Sequence, residues 1–131
     1  MEEKYNESTE LRPEGGRLLD AALVSIDVPD FIQQLKNEPA WDKSDRNAMT
    51  LYKTEGMRIV LIALHEDAVL TRHIAQGIIS VQVLEGKIKF VTEQQTSVVE
   101  KGQMLALHKN ITHSVLALAE SFFLLTLAVN K

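Results

Sequence analysis

The chain has 131 residues and no cysteine, and its formal net charge is −4 at pH 7. This length predicts one domain that buries roughly two thirds of the surface exposed in the unfolded chain, and the lack of cysteine excludes disulfides, thiolate metal sites and cysteine nucleophiles. Because lysine and arginine are scattered and aromatic residues make up only 5%, nucleic acid is not an expected partner.

The N-terminal residues 1–16 are polar and end in a glycine pair, which predicts a mobile arm or an extended strap. Their acidic start lacks the basic and apolar regions of a secretion signal. The most apolar stretch, Ser121–Val129, is only long enough for a strand. We therefore expect a cytoplasmic protein with no membrane partner.

Residues 21–28 are apolar enough for a strand, and residues 27–30 are expected to begin a short helix. The apolar stripe of this helix consists of Phe31, Ile32 and Leu35. Pro39 should end the helix, because the residue before a proline is disfavoured in the helical conformation. Trp41 follows and is expected to be a large core side chain.

From Ala48 onward the chain reads as a succession of short strands without a helix. Turn signals recur about every 8–12 residues, a spacing typical of antiparallel sandwiches and barrels. These signals fall at residues 54–56, 65–67, 76–77, 85–86, 93–97, 101–102, 109–110 and 119–121. We therefore divide the chain into an N-terminal arm, short strand and helix over residues 1–47 and a β-barrel over residues 48–131.

The clearest strand pattern lies at residues 78–90, which predict two strands joined by a turn at Glu85–Gly86. Apolar residues alternate with Ser80 and Gln82 in the first strand, and lysines alternate with apolar residues in the second. The apolar face of the first strand consists of Ile79, Val81 and Val83. Each strand should have one buried and one solvent-facing side.

Four histidines are the candidate functional residues. His65 lies in a charged turn and is expected to be exposed. His73 and His113 both lie where a turn meets an apolar strand, so their rings could point into the barrel. His108 lies at the edge of a turn, and its direction is left open. An isolated histidine is more often a hydrogen-bonded or surface residue than a ligand.

The residues around these histidines resemble the two motifs of the cupin family. On the first motif, G-x5-H-x-H-x3-4-E-x6-G, the five positions are occupied by Asp67, His73, Ala75, Ile79 and Gly86. On the second, G-x5-P-x-G-x2-H-x3-N, they are occupied by Gly102, His108, Asn110, His113 and Ala117. The spacing is kept throughout, although most of the polar residues are replaced.

The resemblance implies an all-β, cupin-type antiparallel barrel (a jelly roll, or double-stranded β-helix) with a short N-terminal helix. It also implies a homodimer, for which residues 1–47 would serve as a dimerisation strap. Cupin metal sites use two histidines and a glutamate from the first motif and a histidine from the second. Of these four ligands only His73 and His113 are present, which weakens an iron or manganese site because such ions rely on a carboxylate.

Three functions remain open from the sequence. The first is a small-molecule-binding cupin whose ligand-binding residues are His73, Ile79, Val81, Val83 and His113. An apolar lining with two imidazoles suits a small apolar ligand that carries one polar or anionic group. The second is a metal-dependent oxygenase or isomerase in which His73, His113 and His108 hold zinc, nickel or copper. The third is an interaction module whose apolar side chains merely fill the barrel.

Overall fold

The structure, a computed structural model, describes residues 4–5 and 18–129. Most of the predicted arm over residues 1–16 lies outside these residues. The described elements are β1 Lys4–Tyr5, β2 Leu18–Asp20, α1 Val28–Asn37, α2 Pro39–Lys43, β3 Arg46–Lys53, β4 Met57–Leu64, β5 Val69–His73, β6 Ile78–Glu85, β7 Lys87–Thr92, β8 Thr96–Glu100, β9 Met104–Leu107, β10 His113–Ala117 and β11 Ser121–Ala128.

The strands form two main antiparallel sheets, in addition to the small β1–β2 pair. One sheet has the order β5-β10-β7-β8, and the other has the order β3-β4-β11-β6-β9. Side chains from both sheets form one core cluster, so the two sheets pack face to face. This confirms the predicted all-β antiparallel jelly roll. The turns fall where the sequence predicts them, including the Glu85–Gly86 turn between β6 and β7.

The five-stranded sheet is covered on both faces, which gives the molecule two cores. One core lies between the two sheets and includes Val83, Ile88, Phe90 and Phe123. The other lies between the five-stranded sheet and the helices, and it includes Leu35, Trp41, Leu61 and Phe122. Trp41 is buried there, as predicted for a core side chain.

Two predictions for the N-terminal part are wrong. Residues 21–27 do not form a strand, because no neighbouring strand pairs with them, and Leu23 is largely exposed. The helical region consists of two helices instead of one. Pro39 ends α1 by holding Glu38 in an extended conformation, with ψ 147°, and then occupies the first turn of α2. The fixed φ of proline suits the first turn of a helix.

His65 is not the freely exposed residue that its charged turn predicts. Its ring stacks on Trp41, with ring centroids 3.5 Å apart, and its Nε2 lies 2.7 Å from the Trp41 carbonyl oxygen. Its Nδ1 lies 3.5 Å from a carboxylate oxygen of Glu120. His65 therefore links α2 to the turn before β11. This contact arises because α2 places Trp41 next to His65.

The backbone confirms the alignment with the cupin motifs. Within residues 18–129, four residues have a positive φ, and they occupy the four glycine positions of the two motifs: Asp67 at 72°, Gly86 at 88°, Gly102 at 85° and Asn110 at 64°. Asparagine and aspartate tolerate this left-handed region better than most residues with a side chain. The turns of the motif are therefore kept, although two of its glycines are not.

Candidate functional site

His73 and His113 lie side by side at one end of the four-stranded sheet. His73 ends β5, His113 begins β10, and the two residues are register partners in the antiparallel pairing of these strands. Their ring centroids are 4.1 Å apart in an edge-to-face arrangement, with an interplanar angle of 65°. The two motif histidines, 40 positions apart in the numbering, are thus brought into contact by the sheet. His113 is buried, whereas His73 lies exposed at the rim.

Hydrogen bonds to the backbone orient both rings in the same way. Nδ1 of His73 lies 2.8 Å from the Thr71 carbonyl oxygen, and Nδ1 of His113 lies 2.9 Å from the Ile111 carbonyl oxygen. Because a carbonyl oxygen can only accept, these contacts assign the proton of each neutral ring to Nδ1. Nε2 of each ring is then left with a lone pair that can accept a hydrogen bond or bind a metal ion.

The surroundings of His113 favour its neutral form. Its ring stacks on Phe90, with centroids 5.1 Å apart and an interplanar angle of 14°. Burial lowers the pKa of His113 below the ordinary value, and the positive charge that His73 can carry lowers it further. The hydrogen bond to the Ile111 carbonyl raises the pKa, and this effect is smaller than that of burial but larger than that of His73. His113 is therefore expected to be uncharged at neutral pH.

The three-histidine metal site predicted with His108 does not form. His108 lies exposed in the segment between β9 and β10. Residues 4–5 and 18–129 contain no group of three or more histidine, aspartate or glutamate side chains that could hold a metal ion. Two imidazoles alone do not make up the three or four protein ligands of a usual zinc site, so the residues present do not fit the metal centre of the resembling family.

A cleft of about 480 Å³, with Phe90 in its lining, opens between the β7–β8 turn and the segment from β9 to β10. Its volume is in the range of pockets that take small organic molecules. The apolar part of its lining consists of Phe90, Leu105, Ala106, Leu107 and Ile111. The uncharged polar part consists of Thr92, Gln94, Gln95, Ser97, Asn110 and Thr112. Glu93 and His108 complete the lining.

The three apolar residues predicted to line the binding pocket lie in the packed core instead of the cleft. Ile79, Val81 and Val83 point between the sheets, and none of them is more than 2% exposed. They do not appear in the lining of the cleft. Of the predicted site residues, His73 and His113 are in ring contact, and His108 lines the cleft. The three β6 side chains lie in the core between the sheets.

The sequence analysis missed most of the residues that line the cleft. Their only signal was a polar turn at residues 93–97 and a short apolar run at residues 104–107. Neither signal shows that the two segments face each other. The pairing of β7 with β8 and of β6 with β9 brings them to the same end of the two sheets.

The comparisons with known proteins support the fold. No protein-family model matches the sequence, and no curated protein does. A conserved protein of unknown function from Streptococcus pyogenes is similar, with 23% identity and a TM-score of 0.62, over 66% of this chain and 75% of that one. A cupin-2 domain containing protein from Shewanella frigidimarina has 13% identity and a TM-score of 0.64, over 79% of this chain and 94% of that one.

A larger enzyme shares the same architecture. A mutant of salicylate 1,2-dioxygenase from Pseudoaminobacter salicylatoxidans has 16% identity and a TM-score of 0.70, over 83% of this chain but only 37% of that one. At these identities the likeness is one of fold. The chain has the cupin fold, as its two motifs implied, and the described residues include no helix that is long and apolar enough to cross a membrane.

Proposed function

We propose that the protein binds a small organic molecule in the cleft between its two sheets. The observation that carries this proposal is the cleft itself, whose inner wall, Phe90, packs flat against the buried ring of His113. An apolar inner wall with polar groups around the entrance is the usual composition of a small-molecule site. This differs from the pocket expected from the sequence, because β7, β9 and the segment to β10 provide the lining in place of β6.

The imidazole pair lies outside the lining of the cleft, but His113 contacts two residues that belong to this lining. His113 is fixed by its bond to the Ile111 carbonyl and by its stacking on Phe90. Ile111 and Phe90 both line the cleft. A ligand that contacts either residue would therefore alter the environment of His113, and the ring resonances of this histidine should report on binding.

The proposal can be tested with one substitution that fills the cleft and one that does not. Ser97 is the register partner of Phe90 and lines the cleft, whereas the next residue of β8, Val98, is 50% exposed on the outer face. A fragment library would be screened by the changes that it causes in amide resonances. We expect Ser97→Trp to abolish the shifts caused by wild-type hits and Val98→Trp to preserve them. Hits that bind Ser97→Trp unchanged would place binding elsewhere.

A second candidate function is metal binding by the imidazole pair. The observation in its favour is that the backbone bonds of both Nδ1 atoms leave both Nε2 atoms free. Ligands from outside the described residues would have to complete the coordination. Metal analysis of protein purified without an affinity tag tests this candidate. Stoichiometric zinc, nickel or copper that is lost in both His73→Ala and His113→Ala would support it, and metal-free protein unaffected by added zinc would refute it.

The expected homodimer also remains a proposal, which the resemblance to cupins supports. Residues 1–47 are the predicted strap, and β2 within them contacts β3 at the edge of the five-stranded sheet. Light scattering coupled to size-exclusion chromatography measures the mass of the assembly. A monomer at all accessible concentrations would contradict the proposal. The cytoplasmic location stays a prediction from the sequence.

A further inference from the structure

We infer that the cleft selects uncharged ligands, namely small ring compounds that carry hydroxyl, carbonyl or amide groups. This inference rests on the proposed function, since it assigns a ligand class to the same cleft. It narrows the sequence-based expectation, which allowed a ligand with an anionic group.

The charges around the cleft disfavour anionic ligands. Among residues 4–5 and 18–129, no lysine or arginine lines the cleft. An anion that entered would lose hydration without gaining a cationic partner, and a buried charge is costly unless it is paired. It would also approach the carboxylate of Glu93. Carboxylate and phosphate ligands are therefore disfavoured by the lining as it stands.

A cationic ligand is disfavoured for a different reason. Of the residues that the structure describes, Glu93 is the one carboxylate in the lining, and its Oε1 lies 3.5 Å from Nη2 of Arg72. The side chain of Glu93 is 78% exposed, so water screens its charge at the mouth of the cleft. A cation bound against Phe90 would be removed from that water and would compete with Arg72 for the carboxylate. Glu93 is thus poorly placed to select a positive charge.

The remaining residues of the lining match a ligand with an apolar ring and neutral polar groups. Leu105, Leu107 and Ile111 surround Phe90 with apolar surface that suits the body of a ring. Hydroxyl and amide groups from the turn between β7 and β8 and from the segment before β10 form the other part. These groups both donate and accept, so they match neutral hydroxyl, carbonyl and amide groups.

The histidine behind Phe90 agrees with this assignment. His113 stacks on Phe90 and is not among the residues that line the cleft. His108 lines the cleft but lies at its exposed side. The described residues therefore place no lysine or arginine at the inner end of the cleft.

Three probes of similar size and different charge test the inference: 4-hydroxybenzamide, 4-hydroxybenzoate and 4-hydroxybenzylamine. Each would be titrated into the full-length protein at neutral pH, and affinities would be read from amide resonances, with Ser97→Trp as the blocked control and Val98→Trp as the open one. We expect the neutral amide to bind in the cleft at least about tenfold more tightly than the carboxylate or the amine, because neither charge finds a partner there.

A gain-of-charge variant provides the reciprocal measurement. Thr112→Lys places an ammonium group at the cleft, and it should shift preference from the amide toward the carboxylate. If the carboxylate or the amine binds wild-type protein in the cleft as tightly as the amide, the ligand class is wrong while the proposed function stands. If none of the three probes binds at millimolar concentration, the ligand class is refuted; if the fragment library also yields no cleft binder, the proposed function fails as well.

Discussion

The buried histidine at the site should make the stability of the protein depend on pH in a specific direction. His113 is 3% exposed, its ring stacks on Phe90, and its other ring neighbour is His73. Its pKa is therefore lower in the folded protein than in the unfolded chain, chiefly because burial disfavours the charged ring. As pH falls below the unfolded value of about 6.5, the unfolded state takes up the proton first. The stability contributed by the neutral ring is thus present above about pH 6.5 and is lost below it.

The size of the effect follows from the linkage between proton uptake and folding. One proton bound only by the unfolded chain lowers the free energy of unfolding by at most about 1.4 kcal/mol per pH unit. Between pH 7.5 and pH 5.5 the loss therefore approaches about 1.4 kcal/mol if the folded state binds no proton at His113. Water at the exposed rim next to His73 screens the charge, so this figure is an upper limit.

Urea unfolding followed by the fluorescence of Trp41, the single tryptophan, measures this dependence. Wild-type protein would be compared with His113→Gln, which cannot be protonated, and with His108→Gln, which removes an exposed histidine. The difference in unfolding free energy between wild type and His113→Gln should decrease as pH falls from about 7.5 to 5.5, and His108→Gln controls for the removal of a histidine side chain.

A parallel pH dependence in wild type and His113→Gln would refute the reasoning, because it would mean that His113 takes up its proton equally in both states. Should His113→Gln fail to fold, the ring resonances of wild-type His113 give the folded-state pKa directly. A value at or above the ordinary range would refute the predicted direction.

Two further predictions concern the turns that hold this end of the fold together. Gly86→Ala should destabilise the protein more than Gly102→Ala in urea unfolding. Both positions have a positive φ, which costs about 1–2 kcal/mol, but a Cβ at Gly86 would clash with the Glu120 carbonyl oxygen, whereas at Gly102 nothing lies within 4 Å. Equal losses would show that the turn at Gly86 can open. Ser121→Ala should lower the unfolding free energy by about 1–3 kcal/mol, since the buried hydroxyl accepts a 3.0 Å hydrogen bond from the Lys87 N–H; an unchanged urea midpoint would contradict this bond.

The sequence alone determined the fold and part of the site. The alternation of apolar residues determines which side of a strand is buried, and the turn signals determine where strands end, so β6 and β7 could be predicted from residues 78–90. The motif spacing predicted that His73 and His113 would belong to one site. Strand alternation depends on neighbouring residues in the chain, and the turns depend on a backbone conformation that few residue types tolerate.

The tertiary structure alone decided what the buried side chains face. Alternation places Ile79, Val81 and Val83 on one side of β6, but only the packing of the other sheet shows that they fill a core instead of lining a cavity. The position of His108 away from the imidazole pair depends on the long-range pairing of β10 with β7. The cleft beside Phe90 depends on this pairing as well. A one-dimensional pattern records which residues are buried, whereas a cavity is set by the distance between surfaces that are remote in the chain.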